Sequence, residues 1–530
     1  MTASLPSAWW LVVGLCCAAA LYALVAALTM PRFGSASRVR AAARRARANG
    51  HVPVSVLKPL CGNEPRLFAN LASFCEQNHP CFQLLFGVSS AVDPAIAVVR
   101  QLQVAYPHCD IELVIDSRVH GSNLKVSNLI NMAARARHAT LVVADSDIAV
   151  ERDYLRIVTA PLVAASGGDV RMADGRGERA GVSGAYRAEA RVPEVRAIGA
   201  QGTNAEACNV RASNVQGSNA QDPNARASTG QALTGHVFNA RAARTQAAGP
   251  EARNEEAVAA EALTAEATST EATHTRFAPR PPVGVVTCLY RARSVGGFWP
   301  RVGALFVNEW FAPSVRVAHT VGSREFGFGA TLALSRATLE RIGGFAALKD
   351  CLADDYLLAR YARDHGLATV LAPVLVDTDV TEPTFAALWL RETRWLRTIR
   401  SVNPTGFASL PITFTSPWIG FGAALRWLAG PAGVGGAAWP GVPPAALTVL
   451  AASTVSSIIA RMLLHARASA GWRGFWRDLP LVPLRDLLLT LQWLRAAFGS
   501  HVVWRGVRVP VANPDLDGPA VEAVEVSDGR

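Results

Sequence analysis

Lysine is almost missing from this 530-residue chain. It occurs only at Lys58, Lys125 and Lys349, so the formal charge of +11 rests almost wholly on arginine. No basic stretch is interleaved with aromatics or resembles a nucleic-acid module, so the charge points to an anionic small substrate or an anionic lipid surface and not to nucleic acid. The nine cysteines (Cys16, Cys17, Cys61, Cys75, Cys81, Cys109, Cys208, Cys288 and Cys351) are scattered, with no pair at metal-ligand spacing. An odd, dispersed set argues against a disulfide framework and fits a reducing cytosol. Basic residues are also lacking from Met1 to Ser7, ahead of the first apolar run. A cleaved secretory signal would carry them there.

What is abundant is apolar sequence: half of the residues are hydrophobic. Ala8 to Met30 has no charge, and a helix of that length reaches roughly 34 Å, enough to cross a bilayer core of about 30 Å. Arg32, Arg38, Arg40, Arg44, Arg45 and Arg47 come directly after it, which by the positive-inside rule puts the N-terminus outside and the chain after Met30 in the cytoplasm. The first span is therefore expected to be a retained anchor. In the C-terminal third, prolines and glycines between 431 and 444 divide apolar sequence into a hairpin of two expected spans, about 410–430 and about 444–464. The segment 479–498 is apolar but carries Arg485, Asp486 and Arg495, and is either a third helix or an interfacial one. Residues 512–530 read as an acidic tail.

From 164 to 280 the composition shifts to alanine, asparagine, threonine, arginine and glutamate, with near-repeats at Asn204, Asn224 and Asn239. Such a stretch is short of the apolar area needed to offset ordering entropy, and is read as a disordered insertion without chemistry. A helical docking arm around Glu251 to Glu271 is the alternative. The blocks on either side, 50–163 and 281–408, are coherent. The first alternates β-branched strands (Val52 to Leu57, Phe82 to Ser89, Ile111 to Asp116, Leu141 to Ala144) with helices at Arg66 to Asn78, Pro94 to Tyr106 and Asn123 to Ala136. That rhythm predicts an α/β fold with a doubly wound, mostly parallel sheet and ligands at the carboxyl ends of its strands.

Carboxylates stand where such a fold would use them. Leu141-Val-Val-Ala-Asp145-Ser-Asp147 is an apolar strand ending in two acids one residue apart, able to face one hard divalent ion such as Mg²⁺ or Mn²⁺. Asp93 precedes Pro94 and can cap the adjoining helix, contact a nucleoside, or do both. Lys125 and Asn128 share a helix face, where the lysine can meet a diphosphate. Asp354 and Asp355 open a helix after the Gly343-Gly-Phe345 turn. They serve either as dipole partners or, in the case of a carboxylate near a substrate hydroxyl, as a proton acceptor. Arg391 and Arg394, one turn apart, can grip phosphate oxygens, with Trp395 as an apolar wall; a basic face beside a membrane is the simpler alternative.

In order, Asp93, Asp145-Ser-Asp147, Asp355 and Arg391-x-x-Arg394-Trp395 resemble the signature of inverting GT-A glycosyltransferases. The finer resemblance is to the ceramide glucosyltransferase-like family, family 21. It is carried by Val54-Ser-Val-Leu-Lys-Pro-Leu60, Val92-Asp-Pro-Ala-Ile96, Asn123-Leu-Lys-Val-Ser-Asn128 and Ala353-Asp-Asp-Tyr356, and by one N-terminal span with a C-terminal membrane region. The resemblance implies a GT-A fold and transfer of glucose or N-acetylglucosamine from a UDP-sugar to a lipid hydroxyl. By analogy Asp147 is the main metal ligand and Asp145 binds metal or ribose. Asp93 and Lys125 hold the nucleotide, Asn128 and Asp354 join the substrate site, and Asp355 is the base. Val286-Thr-Cys-Leu-Tyr290 looks more like the hopanoid-biosynthesis branch, whose acceptor is bacteriohopanetetrol. The alanine and arginine bias suits a GC-rich bacterial genome and hence a bacterial inner membrane. Ceramide or diacylglycerol as acceptor, a processive polysaccharide synthase and a non-catalytic membrane scaffold remain alternatives.

Overall fold

A computed structural model of the chain describes residues 5–30, 34–48, 50–170, 281–429, 442–499, 501–504 and 507–510. The acidic tail, the docking arm and most of the expected insertion lie outside these residues. The predicted alternation is present: α1 (Leu5–Thr29), α2 (Ala36–Ala48), β1 (Val54–Pro59), α3 (Leu67–Cys75), β2 (Phe82–Val88), α4 (Ala95–Ala105), β3 (Asp110–Ile115), α5 (Leu124–Ala133), β4 (Thr140–Val143), β5 (Ile148–Ala149) and α6 (Tyr154–Val170). Helix α6 runs past position 164, where the composition changes.

The second block adds β6 (Val283–Ser294), α7 (Phe298–Phe306), a π-helical turn (Val307–Phe311) and α8 (Ala312–Thr320). It continues with β7 (Leu332–Ser335), α9 (Arg336–Arg341), α10 (Asp354–Asp364), β8 (Ala368–Val380) and α11 (Phe385–Val402). One eight-stranded sheet takes strands from both blocks in the order β3-β2-β1-β4-β7-β6-β8-β5. β3, β2, β1 and β4 are mutually parallel, as are β6 and β8, whereas β7 runs antiparallel to both of its neighbours. The sheet is thus mixed α/β and mostly parallel.

Its strands are apolar on both faces because helices cover both. Val54, Val56, Leu84, Phe86 and Val142 pack on one side with α3, α4 and α6. Leu57, Leu85, Leu141 and Val143 pack on the other with α5 and α10. Period-2 alternation distributes one buried strand between two cores, which is why these strands read as continuous hydrophobic runs. Between β1 and β4 the chain order reverses, and at such a switch point the loops beyond the carboxyl ends diverge and leave a crevice.

Among the described residues two helices are long and apolar enough to cross a membrane: Trp9–Thr29 within α1, and α14 (Pro444–Ala468). The region expected to form the first arm of the hairpin is instead broken. It comprises α12 (Pro404–Ser409), a 3₁₀ turn (Leu410–Thr413) and α13 (Thr415–Ala429). The fifteen described residues of α13 reach about 22 Å against an apolar core of about 30 Å, and positions 430–441 after them lie outside the described residues. Beyond the short α15 (Gly471–Asp478), α16 (Leu481–Ala497) forms a helix over the segment 479–498 and packs against α11, α13 and α7, with Arg495 exposed and its other two charges turned inward. Arg485 and Asp486 are both buried.

Arg485 Nη1 lies 2.6 Å from Glu392 Oε2 on α11, and Gln492 Nε2 donates to the same oxygen at 2.9 Å. Asp486 pairs with Arg461 of α14 at 3.1 Å, and Arg461 pairs in turn with Glu309 of the π-helical turn at 2.6 Å. Breaking a buried pair from one side strands a charge at a cost of about 3–5 kcal/mol, while an apolar replacement of both partners is often tolerated. Arg485→Met should therefore lower the melting temperature of the detergent-solubilised protein sharply. Arg485→Met with Glu392→Met should recover most of the loss; an equally unstable double variant would mean that the pair is not coupled.

Candidate functional site

The strand β4 ends at Val143, and the next four residues turn outward at the switch point. Asp145 N–H bonds the Gly329 carbonyl at 3.3 Å, and Ile148 N–H closes back on the Asp145 carbonyl at 3.3 Å. This turn is held from below by Lys58, at the carboxyl end of β1. Lys58 is fully buried; its Nζ donates to the Asp145 carbonyl at 2.7 Å and the Ile148 carbonyl at 3.4 Å, and it lies 3.8 Å from the centre of the Phe74 ring. Burial pulls its pKa down to about 7, opposed by Asp147, Asp145 and Glu64.

Around that turn the acids of both blocks meet. Lys125 Nζ, on α5, sits 2.8 Å from Asp145 Oδ1 and 3.3 Å from Asp354 Oδ2, joining a carboxylate of each block. Burial opposes its charge, but Asp145, Asp354 and Asp355 outweigh that and raise its pKa. Asn123 positions it: the Asn123 side chain caps α5 by accepting from Val126 N–H, and its Nδ2 donates to the Cys351 carbonyl and to Asp354 Oδ1. Asp355, beside Asp354 at the start of α10, accepts from Gly329 N–H at 2.8 Å and from Tyr356 N–H at 2.8 Å. Burial, then Asp354, pushes its pKa up to about 6.

Asp147 turns toward β8, where Thr378 Oγ1 donates to its Oδ2. Burial, and next Asp145, raises its pKa to about 7. Ser146 bonds Glu64 Oε1 at 2.8 Å, so a third acid borders the turn. Among the described residues no group of three or more His, Cys, Asp or Glu side chains forms a ready-made metal cage. The Asp145–Asp147 pair is a two-carboxylate donor set, which suits a hard cation that completes its shell with phosphate and water oxygens.

Several predicted residues have definite structural jobs. Asp93 accepts from Gly62 N–H at 3.0 Å and from Ala95 N–H at 2.9 Å, tying the loop after β1 to the first turn of α4. Asn128 is buried and donates to the Gly87 carbonyl at 2.8 Å, anchoring α5 to β2; the shared face with Lys125 does not bring it to the carboxylates. Arg391 pairs with Glu382 at 2.6 Å and stacks 5.2 Å from the Trp395 ring centre, so one of its nitrogens is already engaged. Arg394 lies one turn on along α11 and is half-buried.

Trp395 belongs to an aromatic wall that sequence reading missed. Tyr290 of β6 stacks on Phe311 at 5.0 Å and meets Phe328 at 6.0 Å and Trp395 at 6.5 Å. Phe306 adjoins Trp395 at 5.8 Å. Phe328 sits next to Gly329, whose N–H holds Asp355, so the wall borders that carboxylate. The other residues missed are Lys58, Gly327 and Gly329. The rarity of lysine was a usable signal for Lys58, and two glycines flanking Phe328 just before β7 were one for the loop.

Comparison with known proteins agrees with the motif reading. Residues 12–179 and 269–515 match glycosyl transferase family 21, and the chain belongs to that family. It is 35% identical over 100 residues to ceramide glucosyltransferase 1 of Caenorhabditis elegans, covering 19% of this chain and 22% of that one. A ceramide glucosyltransferase of Candida albicans is 30% identical over 116 residues, covering 19% and 21%. The aligned part thus spans about a fifth of these relatives. A mannosyltransferase from Pyrobaculum calidifontis, solved with GDP-Man and Mn²⁺, superposes over 91% of this chain and 97% of that one, at 15% identity and a TM-score of 0.37. That likeness is too distant to carry an argument.

A Cβ at Gly327 would stand 2.4 Å from the Asp355 backbone carbonyl, whereas one at Gly329 would meet the Asp145 carboxylate at 2.7 Å and Lys125 Nζ at 3.1 Å. Backbone yields less readily than side-chain tips. Gly327→Ala should lower the melting temperature more than Gly329→Ala does. The reverse order would show that the loop, not the carboxylate turn, takes up the strain.

Proposed function

We propose that the chain is a membrane-anchored inverting glycosyltransferase that moves a hexosyl unit from a UDP-sugar to a lipid hydroxyl at a cytoplasmic active site. The observation that carries this reading is the convergence of Asp145, Asp354 and Asp355 around Lys125, with Asp147 next to Asp145 and Lys58, at the carboxyl edge of the sheet. Family membership supports it, and the two membrane-length helices support the anchor. A scaffold whose acids only capped helices would have no use for Asp147 and Asp355, whose ionisation is opposed by burial and then by a neighbouring carboxylate.

In this reading Asp147 and Asp145 hold a divalent cation, Mg²⁺ or Mn²⁺, which when bound neutralises charge on the departing diphosphate. Lys125 adds a positive charge beside Asp145, and Arg391 and Arg394 lie one helical turn apart on α11 for the phosphate oxygens. Asp93, in the loop between β2 and α4, is assigned to the nucleoside. Asp355 takes the proton from the acceptor hydroxyl as its oxygen bonds to the anomeric carbon. The bond from that carbon to the diphosphate oxygen breaks on the opposite face, and configuration inverts. The wall of Tyr290, Phe311, Phe328 and Trp395 excludes water from the hydroxyl and offers an apolar surface to a lipid. The N-acetylglucosamine donor and the hopanoid polyol acceptor are finer assignments that rest on resemblance, Val286-Thr-Cys-Leu-Tyr290 included, and the bacterial inner membrane is one that rests on the alanine and arginine bias.

Asp355→Asn should reduce turnover at least about 100-fold, within the range ascribed to general-base catalysis, while Mn²⁺-dependent UDP-sugar binding survives. Retained turnover would remove the base assignment. With its pKa at about 6, Asp355 is unprotonated above that pH and progressively protonated below it. Initial rates should therefore be flat above about pH 7 and fall roughly tenfold per unit below about pH 5. An unchanged acid limb in the Asp355→Glu variant would place the titrating group elsewhere. Lipid mass spectrometry of a deletion strain identifies the acceptor by the glycolipid that disappears. Loss of a ceramide or diacylglycerol glycoside in place of a hopanoid one would overturn the polyol assignment alone.

A further inference from the structure

Away from these carboxylates the structure contains a cavity of about 570 Å³, bounded by the end of α1, strand β6, helices α7 and α8, and the end of α14 with the loop beyond it. Its lining includes none of Asp145, Asp147, Asp354, Asp355, Arg391 or Arg394. It includes instead six arginines: Arg291, Arg293, Arg301, Arg316, Arg467 and Arg477.

Most of that charge is already balanced. Arg291 pairs with Asp377 at 2.8 Å and Arg293 with Asp379 at 3.0 Å. Arg301 and Arg477 share Asp478, and Glu309 is engaged by Arg461 and His465. Arg316 and Arg467 are different, since neither meets a carboxylate among the described residues. Arg467 donates to the Ala27 carbonyl, at the end of α1. Arg316 is only 4% exposed, its Nε has no hydrogen-bond partner, and its Nη1 contacts the Met30 sulfur. Burial without a counter-charge holds its pKa down to about 10.

A buried guanidinium facing no anion costs stability. Its planar donor fork matches the oxygens of a phosphate in bidentate fashion. The site also sits at a definite height. Met30 and Gly34 at one wall, and Ala468 and Ser469 at another, mark the arginine-flanked ends of the two membrane-length helices. We propose that this cavity is a second ligand site, sharing Tyr290 with the aromatic wall of the transfer site but none of its carboxylates, that takes a phosphate ester against Arg316 and Arg467. The shared chemistry is the phosphate oxyanion, whose sources are the headgroup of an anionic phospholipid or free phosphate.

The test uses the purified full chain in neutral detergent and reads melting temperature and affinity, not turnover, so it stands or falls independently of the transferase reading. Dioctanoyl phosphatidylglycerol should stabilise the wild type by several degrees, and dioctanoyl phosphatidylcholine should not. If inorganic phosphate stabilises equally well, the ligand is the free anion; if only phosphatidylglycerol does, it is a lipid headgroup. Arg316→Gln should weaken the effective ligand at least tenfold. It should also leave the ligand-free melting temperature equal or higher, because an unpaired buried charge is gone; a residue that only held the fold together would lower it. Arg467→Gln, at the rim, should weaken binding likewise and covers the case in which the Arg316 variant fails to fold. Stabilisation by neither phosphate nor phosphatidylglycerol, or full binding by both variants, would overturn the proposal.

Discussion

Glu392 lies between the two arginines of the Arg391-x-x-Arg394-Trp395 motif, and its burial fixes what the motif can do. One oxygen is held by Arg485 and Gln492 of α16, and the other lies 3.9 Å from Arg391. The carboxylate therefore locks α11 to α16 and, through the neighbouring residue Asp486, to Arg461 of α14 and Glu309 of the π-helical turn. One end of this chain of charges carries Arg391 and Trp395. The other leads into Phe311, which stacks on Tyr290. Both sides of the aromatic wall are thus registered against a membrane-length helix by pairs that lose several kcal/mol if broken singly. A π-turn adds one residue to a helical turn and re-aims the side chains around it, here sending Asn308 to the free edge of β6 and Glu309 inward toward Arg461.

At the carboxylate turn two effects oppose one another. Desolvation disfavours every charge, while Lys125 and Lys58 favour the anions near them. Lys125 wins for its own charge because three acids surround it, but Lys58 does not, because it points mainly at carbonyls. Asp147 and Asp355 consequently remain hard to ionise. Such an excess of buried negative charge is an arrangement that cation binding would relieve. The same accounting in the arginine-lined cavity comes out with the opposite sign, and so with an anion as the missing partner.

Much of the first block was legible because its signals are local. Buried strands of Val, Leu and Phe and Asp93 before Pro94 place their elements to within about three residues. The pairing of Asp145 with Lys125 was not legible, since nothing in the spacing says that α5 points its first turn at the end of β4. Asn128 shows the cost of that: helical periodicity gives it the face of Lys125, yet the close approach of Gly87 claims its amide. The failure at 410–430 has another cause. Hydropathy counts apolar residues, but the 3₁₀ turn at Leu410–Thr413, which contains Pro411, ends one helix before α13 begins. Apolar length and continuous helix length were not the same quantity.

The motif order could be read across a long intervening segment because the sheet interleaves the two blocks. β4, which delivers Asp145, pairs with β7, whose preceding loop supplies Gly329; β5, just after Asp147, pairs with β8, which supplies Thr378. Helix α6, the last described element of the first block, packs directly on β6, the first strand of the second. These cross-sheet contacts join residues on either side of positions 171–280. This is why separate weak motifs became informative as an ordered set. Each acid lies at the end of its own element, and only the strand order brings Asp145 and Asp354 to opposite sides of one lysine.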